Sequence, residues 1–115
     1  MERKRKILKF RAVDRDIFKM IINGGKKIET RAATERYRDI KAGDIIILVC
    51  GDKRVNKKVK KVGLFESIVA VLKKYKPEAI NPNIHTAQEA KAMWYSFPGY
   101  KEKIKKYGLI AIELE

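Results

Sequence analysis

The densest combination of chemical groups in the chain is Gly24-Gly25-Lys26-Lys27-Ile28-Glu29-Thr30-Arg31. Gly24 lacks a Cβ and permits the left-handed turn that often closes a helix, and Gly25 keeps the following backbone accessible. In an extended strand beyond them, Glu29 and Arg31 share one face, while Ile28 and Thr30 take the other. Ile28 is then expected in the core. Glu29 and Arg31 are expected in a groove between the sheet and the preceding helix, with Lys26 hooking in from the turn. Arginine offers a planar fork to a phosphate or a base edge, and lysine adds a point charge. Glutamate accepts from an exocyclic amine or acts as a base. Gly24, Gly25, Lys26, Glu29 and Arg31 are therefore candidate ligand-binding residues, and Lys26 with Glu29 is the candidate catalytic pair if the protein is an enzyme. The competing reading is that Glu29 and Arg31 pair only to tie the strand to a neighbour, leaving Lys26 solvated.

Further candidate contacts lie elsewhere along the chain. Arg36, Tyr37 and Arg38 form a basic loop with an aromatic ring between two guanidinium groups. Lys57, Lys58 and Lys60 belong to a basic run from Lys53 to Lys61 that serves equally well as a solvated edge discouraging sheet-to-sheet pairing. Tyr37 and Tyr100, the latter near Lys101 and Lys103, are candidate stacking platforms. Trp94 shares a helical stripe with Met93 and Phe97 and is assigned to the core. His85 reads as a connector residue and Cys50 as a small buried hydrophobe, neither catalytic. One cysteine and one histidine leave no cluster spaced for zinc, and no acidic cluster suggests magnesium. No cofactor is expected.

These side chains must be positioned by a short polypeptide. With 115 residues, one domain is expected at 7–115, preceded by a basic tail at 1–6. Twenty-eight Lys and Arg against 14 Asp and Glu leave a formal charge of +14, which points to polyanionic partners, while 45% hydrophobic content supports a folded body. The longest apolar run, Ile45 to Cys50, is too short to cross a bilayer, and the basic N-terminus is not followed by a signal-like apolar stretch. A lone cysteine excludes an internal disulfide. A reduced, cytoplasmic protein without membrane association is the expectation.

The periodicity predicts a strand at 7–13, then a helix carrying Ile17, Phe18, Ile21 and Ile22 behind Asp14 as its cap. Further strands are expected at 26–31, at 44–51 and, with a bulge, at 55–65. Ser67 caps a short helix that Pro77 stops, and 79–85 reads as a connector. Thr86-Ala87-Gln88-Glu89 forms a capping box ahead of a helix bearing Ala90, Met93, Trp94 and Phe97. Gly108 opens the last strand, in which Ile110, Ile112 and Leu114 alternate with smaller or charged residues. Five strands with about three helices define an α+β chain, read as a small mixed barrel closed by pairing its two ends.

The helix ending in Gly24, followed by Lys26, Glu29 and Arg31 and then by Gly43-Asp44 entering an apolar strand, resembles the G-x-K-x-x-E-x-R signature of ASCH domains. Ser67-Ile68 with Leu72, and Lys106-Tyr107-Gly108 leading into Ile110-Ala111-Ile112-Glu113, are similar to that family's short helix and closing strand. The resemblance implies a PUA-like pseudo-barrel of five to six mixed strands and a cleft for RNA or a nucleoside. RNA or a nucleotide is thus the expected partner, with protein partners open. A small bacterial branch of the ASCH-like group hydrolyses N-acetylated cytidine with a lysine, a threonine and a glutamate. Lys26 matches the lysine, Glu29 stands at the threonine position, and the branch's carboxylate falls at Asn83. Alternation puts Thr30 on the opposite strand face. Nuclease activity, suggested for related domains, finds no metal-ligand cluster or histidine pair to support it.

Overall fold

A computed structural model describes residues 4–115. The chain runs β1 (Arg5–Phe10), a 3-10 turn (Ala12–Asp14), α1 (Arg15–Ile22), β2 (Ile28–Ala32), β3 (Ile45–Cys50) and β4 (Lys53–Phe65). It continues through α2 (Ile68–Lys74), α3 (Pro77–Ile80), α4 (Ala87–Ser96) and α5 (Tyr100–Tyr107) to β5 (Leu109–Leu114). The class is α+β, as the sequence predicts, with five strands in one mixed sheet ordered β1-β3-β4-β5-β2. Only the β1–β3 pair is parallel.

The length of β4 gives the sheet its curl. Its first half pairs with β3 from Lys53 to Lys58, and its second half pairs with β5 from Val59 to Phe65. The register shifts between Val59 and Lys61, the bulge that the broken valine alternation predicts. A bulge bends its strand and increases the local twist, so the two halves of β4 belong to differently directed portions of the sheet. The result is a half-barrel. Inside its curve, α1 packs Phe18 and Ile21 against Leu8, Ile46, Leu48, Ile110 and Ile112. A second apolar cluster joins Leu109 and Ala32 to the helices through Val71, Ile80, Ala90, Trp94 and Ile104. Both faces of β5 are therefore covered, and its Leu109–Ala111–Ile112 stretch is buried throughout rather than alternating.

Four features depart from the sequence reading. The chain ends do not close the barrel: β5 lies between β4 and β2, and the sheet's edges are β1 and β2. The first strand begins at Arg5, so Arg5 and Lys6 belong to β1 rather than to a tail; Arg3 lies outside the described residues. That start is fixed because Ile45 N–H donates to Lys4 O at 2.9 Å and Lys4 N–H donates to buried Asp44 Oδ1 at 3.2 Å. Among the described residues there are five α-helices rather than about three, since α3 runs from Pro77 into the start of the expected connector and α5 fills 100–107, where Ile104 is the one buried residue and leaves little apolar period. Asp14 makes no side-chain cap to α1; its carboxylate instead accepts from Arg11 Nε at 2.9 Å.

The other caps form as their chemistry requires. Ser67 Oγ accepts from Ala70 N–H at 3.1 Å, and Thr86 Oγ1 accepts from Glu89 N–H at 3.0 Å. Glu89 reaches back one residue beyond the usual box, accepting from His85 N–H at 3.2 Å. Gly24 adopts φ +85° and ends α1, after which Lys26 N–H donates to Met20 O at 2.9 Å and aims the Lys26 side chain inward. Among the described residues no helix is long and apolar enough to cross a membrane.

Candidate functional site

In the half-barrel the edges β1 and β2 face each other without a backbone ladder among the described residues, and side chains span the seam between them. Arg31 on β2 donates from Nη2 to Lys9 O on β1 at 3.1 Å, and its guanidinium carbon stands 4.9 Å from the Phe10 ring centre. Tyr37, on the loop after β2, lies 5.8 Å from the same guanidinium. Beneath it, Glu29 Oε2 accepts from Arg31 Nε at 3.1 Å and lies 3.1 Å from Nη2 in the ion pair. Glu29 Oε1 lies 3.4 Å from Lys26 Nζ and accepts from Thr30 N–H at 3.3 Å. Lys26 Nζ also donates to Ile28 O. The lysine and glutamate side chains are 3% and 7% exposed and Arg31 is 14% exposed, so the three charges form a largely desolvated triad.

A cavity of about 170 Å³ opens against this triad. Its buried end is formed by Lys26, Glu29, Thr30, Ile80 and Asn81, and its more exposed end by Lys9, Arg11 and Pro98. Phe10, Ile17, Met93, Phe97 and Tyr100 supply apolar walls from β1, α1 and the α4–α5 junction. The Phe97 and Tyr100 rings meet edge-on at 5.2 Å, and Arg11, paired with the lining residue Asp14, lies 5.5 Å from the Phe97 ring, so the outer wall is aromatic and carries an ion pair beside the exposed Lys9.

Burial sets the electrostatics. Desolvation lowers the Lys26 pKa below 10.5 even though Glu29 opposes the shift. Burial also works against the Arg31 charge, but Glu29 together with Tyr100 and Tyr37 offsets it and the guanidinium pKa is raised. The Tyr100 phenol is pushed up, chiefly by burial. With Lys26 protonated, two cations face one carboxylate, leaving the buried end of the cavity with one excess positive charge. Such a floor favours an anion or a carbonyl-rich ligand edge. No three His, Cys, Asp or Glu side chains cluster among the described residues.

The structure brings together Lys26, Glu29 and Arg31 at this cavity and puts the other predicted contacts elsewhere. Gly24 and Gly25 are exposed at the turn and act by directing Lys26. Tyr37 touches Arg31 from the side and does not line the cavity, and Arg36 in turn lies 5.6 Å from the Tyr37 ring. Arg38 donates to Ala33 O at 3.2 Å, a loop contact. Lys57, Lys58 and Lys60 lie on β4 away from the cavity lining. Trp94 is fully buried, and its Nε1–H donates to Thr30 Oγ1 at 2.9 Å. Thr30, assigned to the far strand face, nonetheless borders the cavity.

The Glu29–Arg31 pair ties β2 to β1 and also borders the cavity, but Lys26, left solvated in the reading that confines the pair to tying strands, is buried against Glu29. Asn81 is the residue that sequence reasoning missed. Its segment carries no period, and only the α3 turn brings it under the triad, whereas Asn83 is exposed. Cys50 is buried, and exposed His85 lies 3.5 Å from Glu78.

Fold and site together define a small α+β half-barrel with a ligand-sized cavity in its open seam. This architecture resembles the crystal structure of the hypothetical protein PH0355, with a TM-score of 0.83 and 33% identity over 96% of this chain and 97% of that one. It also resembles the solution structure of protein PF0455 from Pyrococcus furiosus, with a TM-score of 0.74 and 30% identity over 96% of each chain. The chain belongs to one family with these proteins. No protein-family model matches the sequence, and no curated protein is significantly similar to it.

Proposed function

We propose that this chain is an RNA-binding domain of the ASCH, PUA-like kind, which takes one nucleotide into the seam cavity beside Lys26, Glu29 and Arg31. The observation that carries this reading is an aromatic-walled cavity whose floor bears excess positive charge, on a chain of net charge +14. An aromatic wall suits a base, and Lys9 and Arg11 at the outer end suit the phosphates that flank it. Fluorescence anisotropy with single-stranded RNA tests it. If about five phosphates are contacted, log affinity falls with log salt at a slope of about −3.5, and replacing exposed Lys9 and Arg11 by serine reduces the slope by about 1.4. A flat salt response refutes the reading, as does ultraviolet crosslinking confined to peptides outside residues 24–31.

Amide hydrolysis of an acylated nucleoside is the second reading, favoured by one observation. Lys26, held below its ordinary pKa by burial, borders the same cavity as the Thr30 hydroxyl. Incubation with N-acetylated cytidine tests it, with Lys26→Ala as the control. Absence of cytidine production removes this reading.

A further inference from the structure

The hydrogen-bonding inventory of the cavity floor is lopsided, and this bears on which base it accepts. The floor's acceptors are taken up: Glu29 Oε2 accepts from Arg31 Nε, Oε1 accepts from Thr30 N–H and faces Lys26, and Asn81 Oδ1 accepts from Asn83 N–H at 2.9 Å, while the Asp14 carboxylate, paired through Oδ2 with Arg11, also lines the cavity. Donors are left over. Arg31 engages Glu29 and Lys9 through Nε and Nη2, and Nη1 has no hydrogen-bond partner among the described residues. No fully buried side-chain nitrogen or oxygen among those residues lacks a partner, so Nη1 keeps accessible surface, on a side chain that lines the cavity. Asn81 Nδ2 meets only the Met93 thioether at 3.8 Å, a weak acceptor. The Thr30 hydroxyl accepts from Trp94 and retains its own proton to donate.

Volume narrows the choice further. About 170 Å³ is slightly more than the roughly 150 Å³ that holds a benzene molecule, so one substituted six-membered ring fills the cavity, whereas a fused purine would extend beyond its exposed end. Among single-ring bases, uracil presents two carbonyl oxygens and one N–H. Cytosine presents one carbonyl oxygen, one ring-nitrogen acceptor and an exocyclic amine with two N–H groups, so the two rings differ chiefly at C4, where uracil accepts and cytosine donates. The amine would meet donors with few acceptors left to receive it, which is the unfavourable half of hydrogen-bond discrimination.

We infer that the seam cavity selects a uracil-type ring, whose two carbonyl oxygens take the spare donors of Arg31, Asn81 and Thr30, over cytosine and over purines. The inference rests on the nucleotide-binding reading and names its ligand class. Asn81 is then a specificity determinant. Its amide orientation is fixed by Asn83 N–H, so that Nδ2 is the group turned toward the ligand.

The test compares ten-nucleotide oligomers of uridine, cytidine and adenosine, together with free uridine and cytidine followed by amide chemical shifts. The uridine oligomer is expected to bind about tenfold tighter than the others at an equal salt slope. Free uridine is expected to shift the amides of residues 26, 31 and 81. Asn81→Asp, which replaces a donor by an acceptor, is expected to abolish or reverse the preference for uridine over cytidine. Equal affinities at an equal salt slope, or tighter binding of the cytidine or adenosine oligomer, overturn the inference while RNA binding stands. Uridine shifts without salt-dependent oligomer binding sustain the inference and remove the RNA reading. Binding of neither nucleoside nor oligomer overturns both. If Asn81→Asp fails to fold, the ranking of ligands by the wild-type protein decides alone.

Discussion

Replacing Glu29 by glutamine removes the one carboxylate that balances Lys26 and Arg31 while preserving shape. The side chains of the pair that holds Lys26 are 3% and 7% exposed, so water cannot replace the lost charge. Leaving a buried charge uncompensated costs about 3–5 kcal/mol. Lys26 has one escape, which is to fold as the neutral amine. At pH 7 a lysine with an unfolded pKa of 10.5 must give up a proton 3.5 units below that value, which caps the total penalty at about 5 kcal/mol at about 1.4 kcal/mol per unit. The native protein already bears part of this penalty, because burial lowers the Lys26 pKa.

The sign of the pH dependence follows from that shift. Between the lowered folded pKa and 10.5 the unfolded chain binds more protons, so stability rises with pH in that window and levels off above it. Glu29→Gln lowers the folded pKa further and extends the window downward. Urea unfolding is therefore expected to show a loss of about 3–5 kcal/mol at pH 7 that shrinks to about 1–2 kcal/mol near pH 10, where little cost of neutralising Lys26 remains. Lys26→Met combined with Glu29→Gln is expected to remove most of this pH dependence. A loss below about 1 kcal/mol at pH 7, or a gap that stays constant from pH 7 to 10, refutes the view that the triad is a desolvated charge cluster.

Three further outcomes are expected. Gly108→Ala puts a Cβ 2.1 Å from Phe65 O at a φ of +75°, so thermal unfolding is expected to show a loss of more than about 2 kcal/mol. Trp94→Phe removes the donor to Thr30 and leaves a small void, with an expected loss of about 1–3 kcal/mol by denaturant titration. The Tyr75 phenol, pushed up to about 12 by burial and by its 2.7 Å hydrogen bond to Glu113 Oε2, is expected to ionise last in an ultraviolet pH titration, and Glu113→Gln is expected to bring it down.

Local chemistry made much of the chain legible before folding. The Ile45–Cys50 run, the bulge in β4, the Ser67 and Thr86 caps, the core role of Trp94 and the left-handed Gly24 turn all follow from side-chain size, branching or a single short-range hydrogen bond. The spacing of Glu29 and Arg31 likewise marked a shared face, because strand alternation is a local property, and the glycine turn marked Lys26 as entering beside them. Which elements meet is not local. The α5 segment has too few apolar residues to announce itself, and β5 enters the middle of the sheet because β4 is long enough to pair on both sides of its bulge. That placement leaves β1 and β2 as facing edges, so Arg31 closes the seam with a side chain where a closed barrel would use a backbone ladder. Asn81, Phe10 and Phe97 come from segments far apart in the chain, and only the packing of α3 and the α4–α5 junction over that seam gathers them around Lys26. The charges were therefore written into one octapeptide, whereas the cavity they face belongs to the whole fold.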